Sequence, residues 1–339
     1  MRRPCSLMFL VGCLLVMLSG CTDSTHPIDP LVQVPGGEPP SGSPPAPPPG
    51  DPSSPPPADP SPPPSPFPPN QGSAQLLLAD GYDPAWSPDG ARIAFVRARD
   101  GSPVIYLAHA DGSAAVRLAS GSWPAWSPDG RRIAFHREGD FPWGDGEIRV
   151  IDADGSNETA LVRGEFPAWS PDGARIAFAD GEGISVMNVD GSGVTRLLRG
   201  NFLGGDPDWP AIGKPAWSPD GGRIAFEHSG DGDITPAQIY VMNADGSGPR
   251  RLTSVRGTQF AESDPAWSPD GTRIVFWSYG FGIATVGASG SVPIIRYKDF
   301  PAVHYGARPA WSPDGRIAFT ANRFAEEGGA EIWVVGGGE

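Results

Sequence analysis

The sequence predicts an all-β domain, a closed six-bladed β-propeller with four antiparallel strands per blade, and three observations support this prediction. The string PAWSPDG occurs six times at intervals of 40 to 50 residues, a spacing typical of propeller blades. Short apolar runs separated by turn residues follow each copy. The last unit lacks a final strand, and a matching strand precedes the first unit. The copies begin at Pro84, Pro124, Pro167, Pro215, Pro265 and Pro309.

Within the first unit, four strands can be assigned from apolar runs and turn chemistry. PAW forms strand one, and Ser87-Pro88-Asp89-Gly90 is a tight turn because Pro presets φ, Asp favours the next position and Gly accepts positive φ. Strands two, three and four are then expected at Arg92–Val96, Ile105–Ala108 and Val116–Leu118. The turn between strands three and four, Asp111-Gly112-Ser113, recurs in later units. Every unit therefore predicts one four-stranded blade.

The repeated tryptophans and the two ends of the array indicate how the blades join. A tryptophan in each strand one would bury ~150–250 Å² between neighbouring blades, although a role in ligand binding is the alternative. The sixth unit ends at Glu331–Val335 without a fourth strand, while Gln75–Leu78 precedes the first unit. We expect this N-terminal strand to complete the last blade, because ring closure removes exposed sheet edges.

The composition separates the propeller from the N-terminal region. The chain has 339 residues with 46 Gly and 42 Pro, and 39% of it is hydrophobic. Such values are typical of disorder or of an all-β domain rich in turns. The net charge of −14 argues against nucleic acid and against an anionic membrane surface as partners. The sequence predicts three regions: a signal peptide at 1–20, a linker at 21–72 and the propeller at 73–339.

The first 20 residues combine two arginines with an apolar run, Leu7 to Leu18, that is too short to span a bilayer. The following Leu18-Ser19-Gly20-Cys21 resembles the bacterial lipobox. This resemblance implies cleavage before Cys21 and its lipidation; the alternative is an ordinary signal peptide with a chance cysteine. Lipid chains would anchor the protein without spanning the membrane. We therefore expect an exported, membrane-anchored lipoprotein on the periplasmic or cell-surface side.

The linker is dominated by proline. From Pro27 to Asn70, 21 of 44 residues are proline, and the rest are mostly small or polar. Such a segment buries almost no apolar surface and favours disordered, polyproline II-like conformations. At ~3.1 Å per residue it could extend on the order of 130 Å. It is expected to hold the propeller away from the membrane; recognition by a proline-binding domain is the alternative.

The repeat resembles the TolB-type propeller repeats, relatives of the tryptophan–aspartate repeats. The shared pattern is PxWSPDGxxIAF, then IYxMNxDGS and RLT, and it is most complete at Pro215–Phe226, Ile239–Ser247 and Arg251–Thr253. The resemblance covers about residues 73 to 339. It implies the fold but leaves function open, because a propeller hosts unrelated activities. TolB proteins are periplasmic and carry an additional N-terminal α/β domain, in whose place this chain has the lipobox and linker.

Strand direction predicts where a binding site lies. The SPDG and DGS turns share one face, whereas the links from strand two to three and from blade to blade share the opposite, variable face. Loops that vary on a rigid frame commonly carry binding sites. The residue before each PAW should lie near the channel mouth on that face. These residues differ in chemistry: Asp83, Trp123, Phe166, Lys214, Asp264 and Arg308.

The variable loops also carry aromatic residues that the repeat does not explain. Clustered exposed aromatics favour protein or glycan binding, although they could equally pack the loops onto the blades. The set comprises Phe141, Trp143, Phe202, Trp209, Phe260, Tyr279, Phe281, Phe300 and Tyr305.

The sequence predicts a non-enzymatic envelope scaffold that binds a protein or glycan through its variable face and is itself a monomeric propeller. The alternative is a polysaccharide lyase or hydrolase with a site at the channel mouth. No G-x-S-x-G motif and no H-x-x-x-H or H-E-x-x-H spacing occurs. Acidic loop residues such as Asp140, Asp145 and Glu147 could bind Ca²⁺ or be simply solvated. No catalytic residue, cofactor or metal is predicted.

Overall fold

A computed structural model describes residues 74–139, 146–200, 212–229, 236–253, 261–290, 293–297, 307–321 and 330–336. The expected signal peptide, Cys21 and the linker lie outside these residues. The described residues form 24 strands in six four-stranded antiparallel sheets, which confirms the predicted six-bladed propeller. Within the described part of the chain, no helix has the length and apolar character needed to cross a membrane.

The strands follow one another in blade order. The N-terminal strand is β1 (Gln75–Leu78). Blade 1 contains β2 (Tyr82–Trp86), β3 (Arg92–Arg99), β4 (Ser102–His109) and β5 (Val116–Ser120). Blade 2 contains β6 (Ser122–Trp126), β7 (Arg132–Arg137), β8 (Glu147–Asp152) and β9 (Thr159–Arg163). Blade 3 contains β10 (Glu165–Trp169), β11 (Arg175–Ala179), β12 (Gly183–Asn188) and β13 (Thr195–Arg199).

The second half of the ring continues the same order. Blade 4 contains β14 (Ile212–Trp217), β15 (Arg223–His228), β16 (Gln238–Asn243) and β17 (Arg250–Arg251). Blade 5 contains β18 (Glu262–Trp267), β19 (Arg273–Ser278), β20 (Gly282–Gly287) and β21 (Ile294–Tyr297). Blade 6 contains β22 (Ala310–Trp311), β23 (Arg316–Ala321) and β24 (Glu331–Gly336).

The ring closes as the sequence predicts, with β1 as the outer strand of blade 6. The sheet order is β1-β24-β23-β22, and Gln75 lies opposite Val334 in the antiparallel register. Beyond β1, the Gly81 amide donates to the Ala330 carbonyl oxygen at 2.7 Å. The first and last parts of the propeller are therefore joined by main-chain hydrogen bonds, and the array has no free end at this seam.

The SPDG string forms a compact turn in every blade. In blade 1, the Gly90 amide donates to the Ser87 carbonyl oxygen at 2.9 Å, and Gly90 has a φ of 68°. The Ser87 hydroxyl donates to Asp89 Oδ1 at 2.5 Å and accepts from the Arg92 amide at 2.9 Å. Each residue type thus has a local role: Gly adopts the left-handed conformation, while Ser and Asp satisfy main-chain groups at the start of strand two.

The tryptophans pack between blades, as predicted. Trp126 joins a cluster with Ile105 of the preceding blade, and its indole nitrogen donates to the Ala85 carbonyl oxygen at 3.1 Å. Arg92 lies over the Trp126 ring with 4.6 Å between guanidinium and centroid. Equivalent arginine–tryptophan pairs occur at all six junctions. The pairs are Arg92–Trp126, Arg132–Trp169, Arg175–Trp217, Arg223–Trp267, Arg273–Trp311 and Arg316–Trp86.

Candidate functional site at the channel mouth

The residues that precede the PAW motifs meet at the centre of the propeller, where they and the following prolines line a cavity of about 180 Å³. Five of them lie near the start of an inner strand, and the sixth lies just before β22. The inner strands run from the variable face toward the SPDG turns, so these positions are at the variable-face end. The cavity is lined by Asp83, Trp123, Phe166, Lys214, Asp264 and Arg308.

All six residues adopt the left-handed backbone conformation, with φ between 40° and 58°. The pairing register shifts at this point, for example between Tyr82 and Ala85 of blade 1. Residues that precede proline are normally extended, and positive φ is rare for bulky side chains. Strained conformations of this kind cost on the order of 1–3 kcal/mol each. The bulges turn six non-glycine side chains toward the axis at positions where glycine would be the least strained residue.

One part of the channel mouth is a network of charged side chains from four blades. Lys214 Nζ lies 2.9 Å from Asp264 Oδ1 and 3.3 Å from Glu227 Oε2. Arg308 Nη1 lies 2.7 Å from Asp83 Oδ2, and its Nε is 3.7 Å from Asp264 Oδ1. Each cation therefore contacts two carboxylates, and Asp264 connects the two halves of the network.

The rest of the channel mouth is aromatic. The rings of Trp123 and Phe166 stack with 4.0 Å between centroids, and His136 stacks on Trp123 at 4.7 Å. The Arg308 guanidinium lies 4.9 Å from the Trp123 centroid and 5.7 Å from that of Phe166. Lys214 Nζ lies 5.6 Å from the Phe166 centroid. Arg308 thus reaches across the axis from blade 6 and contacts both the acidic and the aromatic groups.

Burial and ion pairing set the charges of these groups. Burial raises the pKa of Asp83 to about 6, although Arg308 opposes the rise. Burial also favours the neutral form of Asp264, but Lys214 and Arg308 outweigh it and lower the Asp264 pKa. Burial disfavours the charge of Lys214, but Asp264 and Glu227 outweigh it and raise the pKa of the ammonium group. Lys214 therefore remains charged at neutral pH, while Asp83 changes charge near pH 6.

A larger cavity of about 520 Å³ adjoins the channel mouth. Tyr82, Ser122 and Glu138 line it together with Arg308 and Thr320. Gly101 and Ala330 also line this cavity, and both belong to links from strand two to strand three. The cavity therefore lies toward the variable face and gives the charged and aromatic groups space for a ligand.

Comparison with known proteins supports the same fold. The family described as the TolB beta propeller domain matches residues 144–287. The structure of TolB from Acinetobacter baumannii aligns with a TM-score of 0.56 and 19% identity, covering 72% of this chain and 63% of that protein. This chain therefore spans less than two thirds of that TolB. The domain is a TolB-like β-propeller.

Two further structures show how widely the TolB-like propeller is shared. A protein from Agrobacterium tumefaciens assigned as a TolB has a TM-score of 0.55 and 21% identity, with 75% of this chain and 89% of that one covered. An oligogalacturonate lyase in complex with manganese has a TM-score of 0.50 and 15% identity, with 78% and 98% covered. No curated protein matches the sequence. At these identities the likeness concerns the fold alone.

Two site residues of the propeller, Glu227 and Thr320, were missed by sequence reasoning, and His136 could be placed on the variable face but not against Trp123. His136, Glu227 and Thr320 each follow the Ile-Ala-Phe triplet of strand two. Glu227 Oε2 accepts from the Asp264 amide at 3.2 Å, and Thr320 Oγ1 accepts from the Asp83 amide at 3.1 Å. The sequence feature that could have identified them is a polar residue directly after the apolar Ile-Ala-Phe triplet. Glu227 and Thr320 accept hydrogen bonds from the main-chain amides of the bulge residues, and His136 stacks on the Trp123 ring at the channel mouth.

Two of the nine predicted loop aromatics lie within the described residues. Tyr279 is 45% exposed and contacts the Trp277 ring edge-on, with 5.8 Å between centroids. Phe281 is half-buried, and its amide donates to the Ser278 carbonyl oxygen at 3.0 Å. These contacts place both residues beside the end of strand two in blade 5. Outside the described residues lie Phe141, Trp143, Phe202, Trp209, Phe260, Phe300 and Tyr305.

The described part of the chain contains no group of three or more His, Cys, Asp or Glu side chains placed to hold a metal. Asp140 and Asp145 of the acidic loop lie outside it, while Glu147 forms an ion pair with Arg149. Burial lowers the pKa of His136 to about 4, so its ring is neutral at neutral pH. The Nε2 atom of His228 is 2.9 Å from the Gly200 carbonyl oxygen. These two histidines thus have packing or main-chain partners.

Proposed function

We propose that this protein is a non-enzymatic envelope lipoprotein whose TolB-like propeller binds a protein or cell-envelope polymer at the channel mouth. The observation that carries this proposal is the set of six non-glycine residues held in the left-handed conformation around the axis. A purely structural bulge would be least strained with glycine or asparagine. Four of the six are Trp, Phe, Lys and Arg, for which this conformation is uncommon, and this supports a role for the side chains themselves.

The chemistry of the channel mouth supports binding. A stacked Trp123–Phe166 pair offers apolar area with little conformational entropy to lose, which is typical of binding hot spots. Lys214 and Arg308 are held by buried carboxylates, so they are preorganised to contact a ligand without moving. A suitable partner would place a polar segment against the charged side chains of the channel mouth and an apolar group against its aromatic rings.

The envelope location is part of the same proposal. The lipobox-like Leu18-Ser19-Gly20-Cys21 supports a lipid anchor, and the proline-rich linker supports a propeller that stands away from the membrane. The likeness to TolB structures is consistent with this setting. Incorporation of radiolabelled palmitate into the wild-type protein but not into Cys21→Ser tests the anchor directly.

The alternative function is that of a carbohydrate-active enzyme at the same mouth. The TolB-like fold is shared with the oligogalacturonate lyase, and Asp83 has a pKa of about 6, a value suited to proton transfer. Against this alternative, Asp83, Asp264 and Glu227 each lie in an ion pair with Lys214 or Arg308, which fixes their positions. Paired carboxylates of this kind are better suited to shaping a binding surface than to exchanging protons.

Affinity capture with the full-length protein tests the proposed function. We expect wild-type protein to capture a protein or glycan from envelope extracts, and Trp123→Ala to lose it because the aromatic stack is removed. Val116→Ser changes a 61% exposed side chain on the outer strand of blade 1 and is the matched control that should retain the partner. Circular dichroism and the melting midpoint of each variant verify folding.

Equal capture by the wild type and Trp123→Ala would contradict the proposed site. Absence of any captured component, combined with cleavage of oligogalacturonate or of an envelope polysaccharide by wild-type protein, would favour the enzyme alternative. A polysaccharide screen with and without Mn²⁺ therefore runs beside the capture. Loss of activity in Asp83→Asn would then identify the same channel mouth as catalytic.

A further inference from the structure

A second feature, between blades 5 and 6, concerns a buried cation. Arg296 on β21 is only 2% exposed. Its Nε donates to Thr285 Oγ1 at 3.0 Å, whereas Nη1 has no hydrogen-bond partner. Among the described residues no carboxylate pairs with Arg296, and burial together with nearby Arg273 lowers its pKa. A buried guanidinium cannot relieve its cost by losing a proton at physiological pH, so it requires a counter-charge.

The repeat shows that this arginine is a departure from the common blade. Ala284 lies opposite Ile295 and Ile283 opposite Tyr297, so Arg296 is the extra residue of a bulge in the outer strand. The bulge residue is leucine in four other blades, and the Arg-Leu-Thr motif places a leucine there in blade 4. These leucines are Leu77, Leu118, Leu161, Leu197 and Leu252.

The residue of the next blade that each leucine contacts also differs in sequence at the junction between blades 5 and 6. Leu118 packs in one cluster with Ala153 of the next blade, and Leu161 packs with Val189 in the same way. This alanine or valine stands just before the Asp-Gly turn between strands three and four. In blade 6 the corresponding position in the sequence is Gly337, which lies outside the described residues. Arginine therefore replaces leucine at the junction where the sequence also has glycine in place of the alanine or valine.

We propose that Arg296, held in place by Thr285, forms a binding site for a small monovalent anion between blades 5 and 6, with chloride as the probe. Arg296 Nη1 supplies the unpaired donor, while the hydrogen bond from Nε to Thr285 Oγ1 holds the guanidinium in place. Arg273 lies over Trp311 at the same junction and adds positive potential. The anion replaces the leucine–alanine contact of the other junctions and joins blade 5 to the blade that closes the ring.

Thermal unfolding of the full-length protein tests this site. Sodium chloride is exchanged for sodium gluconate at constant ionic strength, so that only a small anion is varied. A ligand that binds the folded state raises the melting midpoint with its concentration. We expect the wild-type midpoint to rise by a few degrees from low to high chloride. Arg296→Leu restores the residue of the other blades and should abolish this rise, whereas the exposed Arg117→Leu should retain it.

Three outcomes would overturn the proposal. A chloride response of equal size in the wild type and Arg296→Leu would locate the effect elsewhere. No difference between chloride and gluconate for the wild type would show that the guanidinium has another counter-charge. A crystal soaked in bromide that shows a protein carboxylate at Arg296 Nη1 would exclude the ion, whereas an anomalous bromide peak within hydrogen-bond distance would support it. None of these outcomes depends on the proposed channel-mouth function.

Discussion

Glu262 provides a direct test of how burial controls the stability of the propeller. It begins β18, is fully buried, and accepts a hydrogen bond from the Thr253 hydroxyl at Oε2. Its Oε1 has no hydrogen-bond partner. Burial raises the pKa of this carboxyl to about 7 from its ordinary 4.5, and the Thr253 hydrogen bond opposes the rise. Glu262 is therefore largely protonated in the folded protein at mildly acidic pH.

The pKa difference fixes the sign and size of its effect on stability. Between pH 4.5 and about 7 the folded state retains a proton that the unfolded state releases. The Glu262 contribution is thus fully present below pH 4.5 and is lost as the pH rises through 7. The difference corresponds to about 3 kcal/mol at pH 8. Glu262→Gln keeps the shape and the acceptor for Thr253 but cannot ionise, so it should remove this loss.

Urea unfolding followed by tryptophan fluorescence measures the effect. The free energy of unfolding of Glu262→Gln should match that of the wild type near pH 4.5 and exceed it by up to about 3 kcal/mol at pH 8. Glu138→Gln, a change at an exposed carboxyl, is the control. The titrations of Asp83 and His136 persist in all three proteins and cancel in the difference. Identical pH profiles for wild type and Glu262→Gln would refute the reasoning.

Three further perturbations test other parts of the structure. Trp126→Ala should reduce the free energy of unfolding by about 3–5 kcal/mol in urea titrations, and the half-buried Trp311→Ala should cost less. Arg308→Ala removes the cation beside Asp83 and should raise the Asp83 pKa above about 6 in a carboxyl NMR titration; an unchanged pKa would contradict the ion pair. Leu78→Asp buries a charge in β1 and should open the seam, so that size-exclusion chromatography shows oligomers in place of the wild-type peak.

The sequence was sufficient for the fold because the information that sets each blade is local. Ser87, Asp89 and Gly90 bond within one turn, and the tryptophan needs only the neighbouring blade. Six repetitions then fixed the number of blades. Closure followed from the strand missing after Val335 and the extra strand at Gln75–Leu78. Each inference used residues close together in the chain or a count of units.

The candidate site could be located from the sequence but its chemistry could not. Strand direction placed the six residues at one mouth, yet the rule for residues before proline predicts extended backbone, not a left-handed bulge. The pair of Arg308 with Asp83 joins residues 225 positions apart. Glu227 enters the site from strand two of one blade and accepts from the Asp264 amide of the next. The first pairing depends on ring closure and the second on contact between neighbouring blades, and no local pattern shows which side chains then meet.

Repetition itself separates the structural residues from the candidate functional ones. Where every blade needs the same contact, the residue is the same, as with the SPDG serine and the strand-one tryptophan. Where the backbone is strained at all six positions but the side chains differ, as from Trp123 to Lys214, the pattern supports the proposed role of these side chains in binding. Where a single blade departs from the repeat at a buried position, as at Arg296, the departure must be balanced locally because an unpaired buried charge is costly. The varied residues around the axis therefore support the proposed binding site at the channel mouth. The unpaired Arg296 supports the proposed ion at the junction between blades 5 and 6.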